Sequence, residues 1–287
     1  AAISRILADL EQLGVKVLDW QNYLEQSQNI WGSDYLQAIS CARTFRTAEL
    51  LLHQRQINPN FWQEFSRCQD SHYWAQLDDE TQLNHRNIIQ QMQQWSEFGK
   101  HLASPWNIVI GGLPNVGKSS LINAILGYKR AIVVDQPGTT RDVVTGETAI
   151  DGWPVLLSDT AGQRETGDVL ESAGIDRAIQ AMQKADLQIL LLDRATAPDQ
   201  QNQILMSKFP EALLVFNKID IEADPNWNNI AFQVKPLDVS CETGQGIESL
   251  IQSIMQKLIP QLPPENLVLP VTSRQQHLLS KLIPLIQ

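Results

Sequence analysis

Gly112-Leu113-Pro114-Asn115-Val116-Gly117-Lys118-Ser119 is the stretch of the chain whose residue types and spacing could do chemistry. It fits G-x-x-x-x-G-K-[ST], a loop whose backbone N–H groups wrap phosphate oxygens while the following helix N-terminus adds a favourable field. In that arrangement Lys118 reaches the β- and γ-phosphates and the Ser119 hydroxyl ligates Mg²⁺. Asn115, Val116, Gly117 and Ser120 complete the expected nucleotide contacts of this loop. Asp159-Thr160-Ala161-Gly162 offers a carboxylate that can hold Mg²⁺ through water and a Gly162 N–H that can sense a γ-phosphate. Asn217-Lys218-Ile219-Asp220 supplies a second carboxylate. Asp220 can accept from both guanine N1–H and the exocyclic amine, and a base without those donors leaves it unpaired. Ser240-Cys241-Glu242-Thr243-Gly244 offers a backbone N–H for the guanine oxygen. Singly, each string reads as a turn, a cap or a surface charge pair. Four in this order describe a GTP-binding domain.

Between the first two strings lies Asp135-Gln136-Pro137-Gly138-Thr139-Thr140-Arg141-Asp142. A switch loop must bring one hydroxyl to Mg²⁺ in the GTP state alone, and Thr140 is the candidate.

These residues need strands and helices to hold them. Trp106 to Ile110 is a short β-branched run, and Leu121 to Leu126 an apolar helix after the Gly-rich turn. Val143 to Ile150, the turn Asp151-Gly152 and Trp153 to Leu157 read as a hairpin. A helix is expected over Glu171 to Lys184, strands over Leu187 to Leu192, Leu213 to Phe216 and Pro236 to Val239, and a helix over Ile247 to Leu258. Strands alternating with helices imply a mainly parallel α/β sheet covered on both faces. Before it, residues up to 104 read as helices. Ala38, Cys41, Phe45, Ala48 and Leu52 recur at helical spacing behind a Ser33-Asp34 start signal, and Ile88, Met92, Trp95 and Leu102 form a second stripe. Asn58-Pro59-Asn60 looks like a break between helices. The Pro-rich run 259–264 reads as a stiff linker, followed by a last amphipathic helix over Ser273 to Ile286.

Composition excludes several classes. Over 287 residues, 43% hydrophobic and 19% charged, there is enough apolar material for a core, which removes disorder and coiled coils. A net charge of −10 argues against a broad nucleic-acid-binding face. No apolar run approaches the ~20 residues that span a bilayer. Cys41, Cys68 and Cys241 are too far apart to read as a disulfide framework or metal cluster, so the cytoplasm is the expected compartment. The chain opens at Ala1 without a Met, and it is expected to be part of something longer.

The string Gly138 to Asp142 (G-T-T-R-D), with Pro114 to Ala124 (P-N-V-G-K-S-S-L-I-N-A), resembles the TrmE–Era class of GTPases, and within it the MnmE (TrmE) tRNA-modification GTPases most. The resemblance implies a P-loop G domain inserted in a helical domain. Residues 1–30 would be a remnant of an N-terminal folate-type domain and 31–104 the first part of the helical domain. Residues 105–260 would be the G domain, and 261–287 the linker and second helical part. It implies GTP and GDP as ligands, Mg²⁺, and a K⁺ ion held by the Asn115 side chain, the Val134 and Gln136 backbone and the Thr139 hydroxyl. That ion would supply the charge that an arginine finger supplies elsewhere. It implies too that Glu171 orients the attacking water and that G domains pair as a homodimer across their switch regions. A flavoprotein partner and a tRNA wobble uridine would follow. One departure stands in the catalytic set: Gln163 follows D-T-A-G where the family has an apolar residue, and as in Ras-like GTPases it could position water itself. The family's C-terminal F-C-I-G-K is not in the sequence, which leaves either a trimmed fragment or a paralogue that kept the switch. The alternative function is a regulatory or assembly GTPase of the Era or Der type, without modification chemistry.

Overall fold

Short polar residues cut the first stretch of the chain into helices. The computed structural model describes residues 30–57, 60–128, 131–133, 145–159 and 179–285. They divide into two units, one drawn from residues up to Ser104 and from Pro263 onward, the other from Pro105–Leu262. The first unit opens with α1 (Ile30–Cys41), α2 (Phe45–Ile57), α3 (Phe61–Arg67), α4 (Ser71–Gln76), α5 (Asp79–Gln94) and α6 (Ser96–Lys100). Asp70 accepts from the His72 N–H at 2.9 Å to start α4, and Asp78 from the Thr81 N–H at 2.8 Å to start α5. Each satisfies a donor that a helix start leaves open.

Three expectations change in this unit. Ser33 and Asp34 lie inside α1 rather than ahead of it, and Asp34 is buried, accepting from Thr272 Oγ1 at 3.2 Å. The stripe from Ala38 to Leu52 is interrupted between α1 and α2, where the Thr44 and Thr47 hydroxyls each accept from the other's backbone N–H. Past that break the buried face of α2 is Thr47, Leu51 and Gln54, while Phe45 and Leu52 are exposed. Apolar spacing misread the face because a bonded glutamine occupies it. Gln54 donates to the Leu267 carbonyl at 2.9 Å and accepts from the Leu269 N–H at 2.7 Å, tying α2 to a segment more than 200 residues away. A buried amide is tolerable only when both its ends are satisfied.

The closing helix of this unit, Ser273–Leu282, begins with a capping box between Thr272 and Gln275 and buries Leu278, Leu279 and Leu282. It ends in a short 3₁₀ turn, Ile283–Leu285, rather than running on to Ile286 as expected. The aromatic part of the core stacks Phe61 on Phe65 at 4.2 Å, with Trp62 donating to the Tyr35 hydroxyl at 2.8 Å.

The second unit comprises β1 (Trp106–Gly111), α7 (Lys118–Leu126), β2 (Ala131–Val133), β3 (Thr145–Ile150), β4 (Trp153–Asp159), β5 (Leu187–Asp193), α8 (Gln200–Lys208), β6 (Leu213–Asn217), β7 (Leu237–Asp238) and α9 (Ile247–Leu258). The strands form one sheet in the order β2-β3-β4-β1-β5-β6-β7. From β4 through β7 every pairing is parallel, and β2–β3–β4 is an antiparallel flank. The fold is the mainly parallel α/β sheet that the alternation implied. The hairpin turns on Asp151 and Gly152, with φ of 48° and 82°, so that Ile150 faces Trp153 across a two-residue loop. Val109, Leu190, Leu192 and Phe216 pack with Met182, Phe209 and Trp227 on one face of the sheet. Their neighbours Ile108, Ile110, Ile189 and Leu191 are equally buried and point the other way, as period two requires.

Among the strands and α-helices of this unit, two were not expected from sequence. The strand β2 is three residues long. Helix α8 carries Gln-Gln-Asn-Gln ahead of its apolar residues, and its Ile204 is exposed, so no apolar stripe announces it. Its start is nonetheless encoded: Asp199 accepts from the Asn202 N–H at 2.9 Å. Parallel strands β5 and β6 need such a crossover. Of the helix expected over Glu171 to Lys184, the described part is 179–183. Among the described residues no helix is long and apolar enough to cross a membrane.

Candidate functional site

The loop after β1 turns sharply because its backbone is forced into conformations that side chains resist. Gly112 and Gly117 have φ of 147° and 98°, and a Cβ at Gly112 would strike the Leu191 carbonyl oxygen, one at Gly117 the Asn217 amide. Asn115 between them also has a positive φ, 62°, which asparagine bears better than most residues. The turn delivers the chain to the start of α7, whose first N–H groups have no partner within the helix.

Lys118 is buried, and its Nζ donates to the Gly112 and Leu113 carbonyls at 3.2 and 2.9 Å. The ammonium is thus laid across the loop that would hold the phosphates. One residue on, Ser119 Oγ donates to Asp159 Oδ2 at 2.9 Å. Asp159 ends β4 beside Ile110 of β1, so the parallel register brings the carboxylate to the hydroxyl. Two hard oxygen donors side by side, next to a cation and a row of N–H groups, fit a Mg²⁺–phosphate pair by donor chemistry.

On the other side of the same loop, Asn217 at the end of β6 is buried. Its Nδ2 donates to the Val116 carbonyl at 2.9 Å and its Oδ1 accepts from the Cys241 N–H at 3.1 Å. One carboxamide therefore joins the first and fourth sequence strings. Ser240 shapes the fourth: its hydroxyl accepts from the Thr243 N–H at 3.1 Å. Lys218 takes a φ of 66° and its Nζ meets Asp193 Oδ2 at 2.6 Å, while Asp220 is exposed. Burial and the nearby Asp220 charge push the Cys241 thiol up to about 11, so it stays protonated at neutral pH.

The structure thus brings together Asn115, Val116, Gly117, Lys118, Ser119, Ser120, Asp159, Asn217, Lys218, Asp220, Ser240 and Cys241 at the C-terminal ends of parallel strands, the usual ligand edge of such sheets. Val134, Gln136, Thr139, Thr140, Gly162, Gln163 and Glu171 lie outside the described residues. Asp193 escaped the sequence reading. Its signal was an acid closing the apolar run of β5 on the same edge of the sheet.

Comparison with known proteins agrees with this reading. The protein-family model described as "50S ribosome-binding GTPase" matches residues 107–218. The chain is 38% identical over 200 residues to a tRNA modification GTPase MnmE of Prochlorococcus marinus (strain MIT 9303), a match covering 67% of this chain and 43% of that protein. It is 37% identical over 190 residues to the MnmE of Chlamydia caviae, covering 66% and 42%. The chain therefore spans less than half the length of these curated relatives. Among solved structures, an Era variant of Aquifex aeolicus bound to GDP and aluminium fluoride is 28% identical with a TM-score of 0.43, over 55% of this chain and 59% of that one.

Proposed function

From a chain that carries a P-loop GTPase domain and resembles the MnmE tRNA modification GTPases, we propose a Mg²⁺-dependent GTP hydrolase of the MnmE type, stimulated by K⁺ and acting in the cytoplasm on tRNA wobble-uridine modification. The observation that carries it is the bond between Ser119 Oγ and Asp159 Oδ2, one residue on from the Lys118 whose ammonium lies on the loop carbonyls. The relatives' names support MnmE-type chemistry over the Era or Der alternative.

Hydrolysis forms a bond from a water oxygen to the γ-phosphorus and breaks the bond from that phosphorus to the β–γ bridging oxygen. The water's proton passes to the released phosphate, and GDP leaves. This chain's residues would bind and orient: the N–H groups of Gly117 to Ser120 hold phosphate oxygens, and Lys118 swings from the Gly112 and Leu113 carbonyls onto the charge that grows on the leaving side. When bound, Mg²⁺ would be held by Ser119 and, through water, Asp159, with Thr140 joining in the GTP state, and would neutralise charge on the β- and γ-oxygens. Asn115, with Val134, Gln136 and Thr139, is the K⁺ set of this proposal, and Glu171 or Gln163 orients the water. Asp220 reads the base, and a backbone N–H of the Ser240 to Gly244 loop meets its oxygen. Pairing of two G domains, a flavoprotein partner and tRNA are parts of the same reading.

Steady-state GTP hydrolysis in KCl and NaCl at equal ionic strength tests it, with Lys118→Ala and Ser119→Ala beside the parent. Both variants should lose on the order of 10²–10³ in rate, and raised Mg²⁺ should partly restore Ser119→Ala alone. A rate indifferent to K⁺ that collapses with Gln163→Ala and not with Glu171→Ala would discard the MnmE mechanism.

A further inference from the structure

Lys218 holds a backbone conformation that a lysine does not choose, φ 66°, between the two residues that frame the base-reading loop, Asn217 and Asp220. Something must hold it there. Backbone hydrogen bonds fix its flanks: the Arg194 N–H donates to the Asn217 carbonyl at 3.1 Å, and the Ile221 N–H to the Lys218 carbonyl at 3.1 Å. The side chain is fixed by Asp193. One carboxylate oxygen takes Lys218 Nζ at 2.6 Å, and the other takes the Ala195 N–H at 3.0 Å. Asp193 is thereby committed on both oxygens, and its side chain is only 13% exposed. The pair spans the ends of adjacent parallel strands β5 and β6, where Asp193 and Asn217 are register partners.

We propose that Asp193 is a positioning residue for guanine recognition. Its carboxylate holds the Lys218 ammonium at the end of β5, so that the loop from Asn217 to Asp220 is rigid before the nucleotide arrives. The inference rests on the reading of Asp220 as the guanine-reading carboxylate. An exposed ion pair would contribute little, but this one is shielded and charge-assisted, and a pre-formed loop spares the ordering cost on binding.

The test measures Kd for GTP, GDP and ATP by displacement of a fluorescent guanine nucleotide, with kcat at saturating GTP. Asp193→Asn puts an NH₂ group against either Lys218 or Ala195, and Asp193→Ser keeps an acceptor for Ala195 while removing the charge. Each should weaken GTP and GDP binding about tenfold with kcat within twofold of the parent, a loss of binding rather than of chemistry. In a Lys218→Gln background, Asp193→Asn should cost nothing further, since it acts through that lysine. A parental Kd in either Asp193 variant, or losses that add in the double variant, overturns the proposal. A parent that binds ATP as tightly as GTP overturns the guanine reading itself, a result distinct from either of these.

Discussion

Gln54 in the helical unit and Asn217 in the sheet unit are both buried amides that bond a carbonyl with one end and an N–H with the other. Gln54 joins α2 to Leu267 and Leu269, both buried. Asn217 joins Val116 to Cys241, residues of two loops at the C-terminal edge of the sheet. The chemistry of the two bridges is the same. What differs is the backbone around them: Gln54 sits in regular helix, whereas Asn217 lies between positive-φ residues, Gly117 pressed against its amide and Lys218 following it. A buried amide therefore says nothing of function by itself. Its place at the C-terminal end of a parallel strand, among loops held in unusual conformations, does.

That contrast can be broken most sharply at the base-reading end. Asp220→Asn replaces an acceptor with a donor, and GTP affinity should fall by on the order of 10⁴ while affinity for XTP, whose C2 carbonyl can accept, rises. Competition binding with both nucleotides reads it, and a variant that keeps parental GTP affinity and rejects XTP refutes the assignment.

The two bridges can be cut in parallel. Gln54→Ala leaves the Leu267 carbonyl and Leu269 N–H buried without a partner and should cost ~2–4 kcal/mol in urea unfolding, with GTP affinity unchanged. Asn217→Ala should instead show its main effect as lost nucleotide affinity. If Gln54→Ala weakens GTP binding as much as Asn217→Ala does, the distinction between the bridges fails.

The smallest effect is expected from Asp34. Burial raises its pKa above the ordinary 3.8, against the opposing pull of Arg274 and Thr272. A carboxyl with a raised folded pKa binds its proton more tightly in the folded chain than in the unfolded one. Its contribution is complete below about 3.8 and is lost as pH rises through the folded value. The stability of the parent relative to Asp34→Asn should therefore decline as pH climbs out of the acid range, measured by urea unfolding at a series of pH values. A flat difference would mean that Arg274 and Thr272 cancel the burial.

The P-loop, Asp159 at the end of β4, N-K-I-D and S-C-E-T-G were legible as loops at strand ends from the residues themselves, because the turns and fixed side chains that place them are local in sequence. The hairpin at Asp151-Gly152 and the buried strands β1 and β5 were legible for the same reason: a two-residue turn and a continuous apolar run need no remote partner. Only the tertiary structure decided the rest. It chose Gln54 and Thr47 over Phe45 and Leu52 as the buried face of α2, because a satisfied polar group can be buried at little cost and the partner that satisfies Gln54 lies more than 200 residues away. It added α8, which topology demands and apolar spacing conceals. And it set Asp193 against Lys218, a pairing of neighbouring strand ends that exists only once β5 and β6 lie side by side.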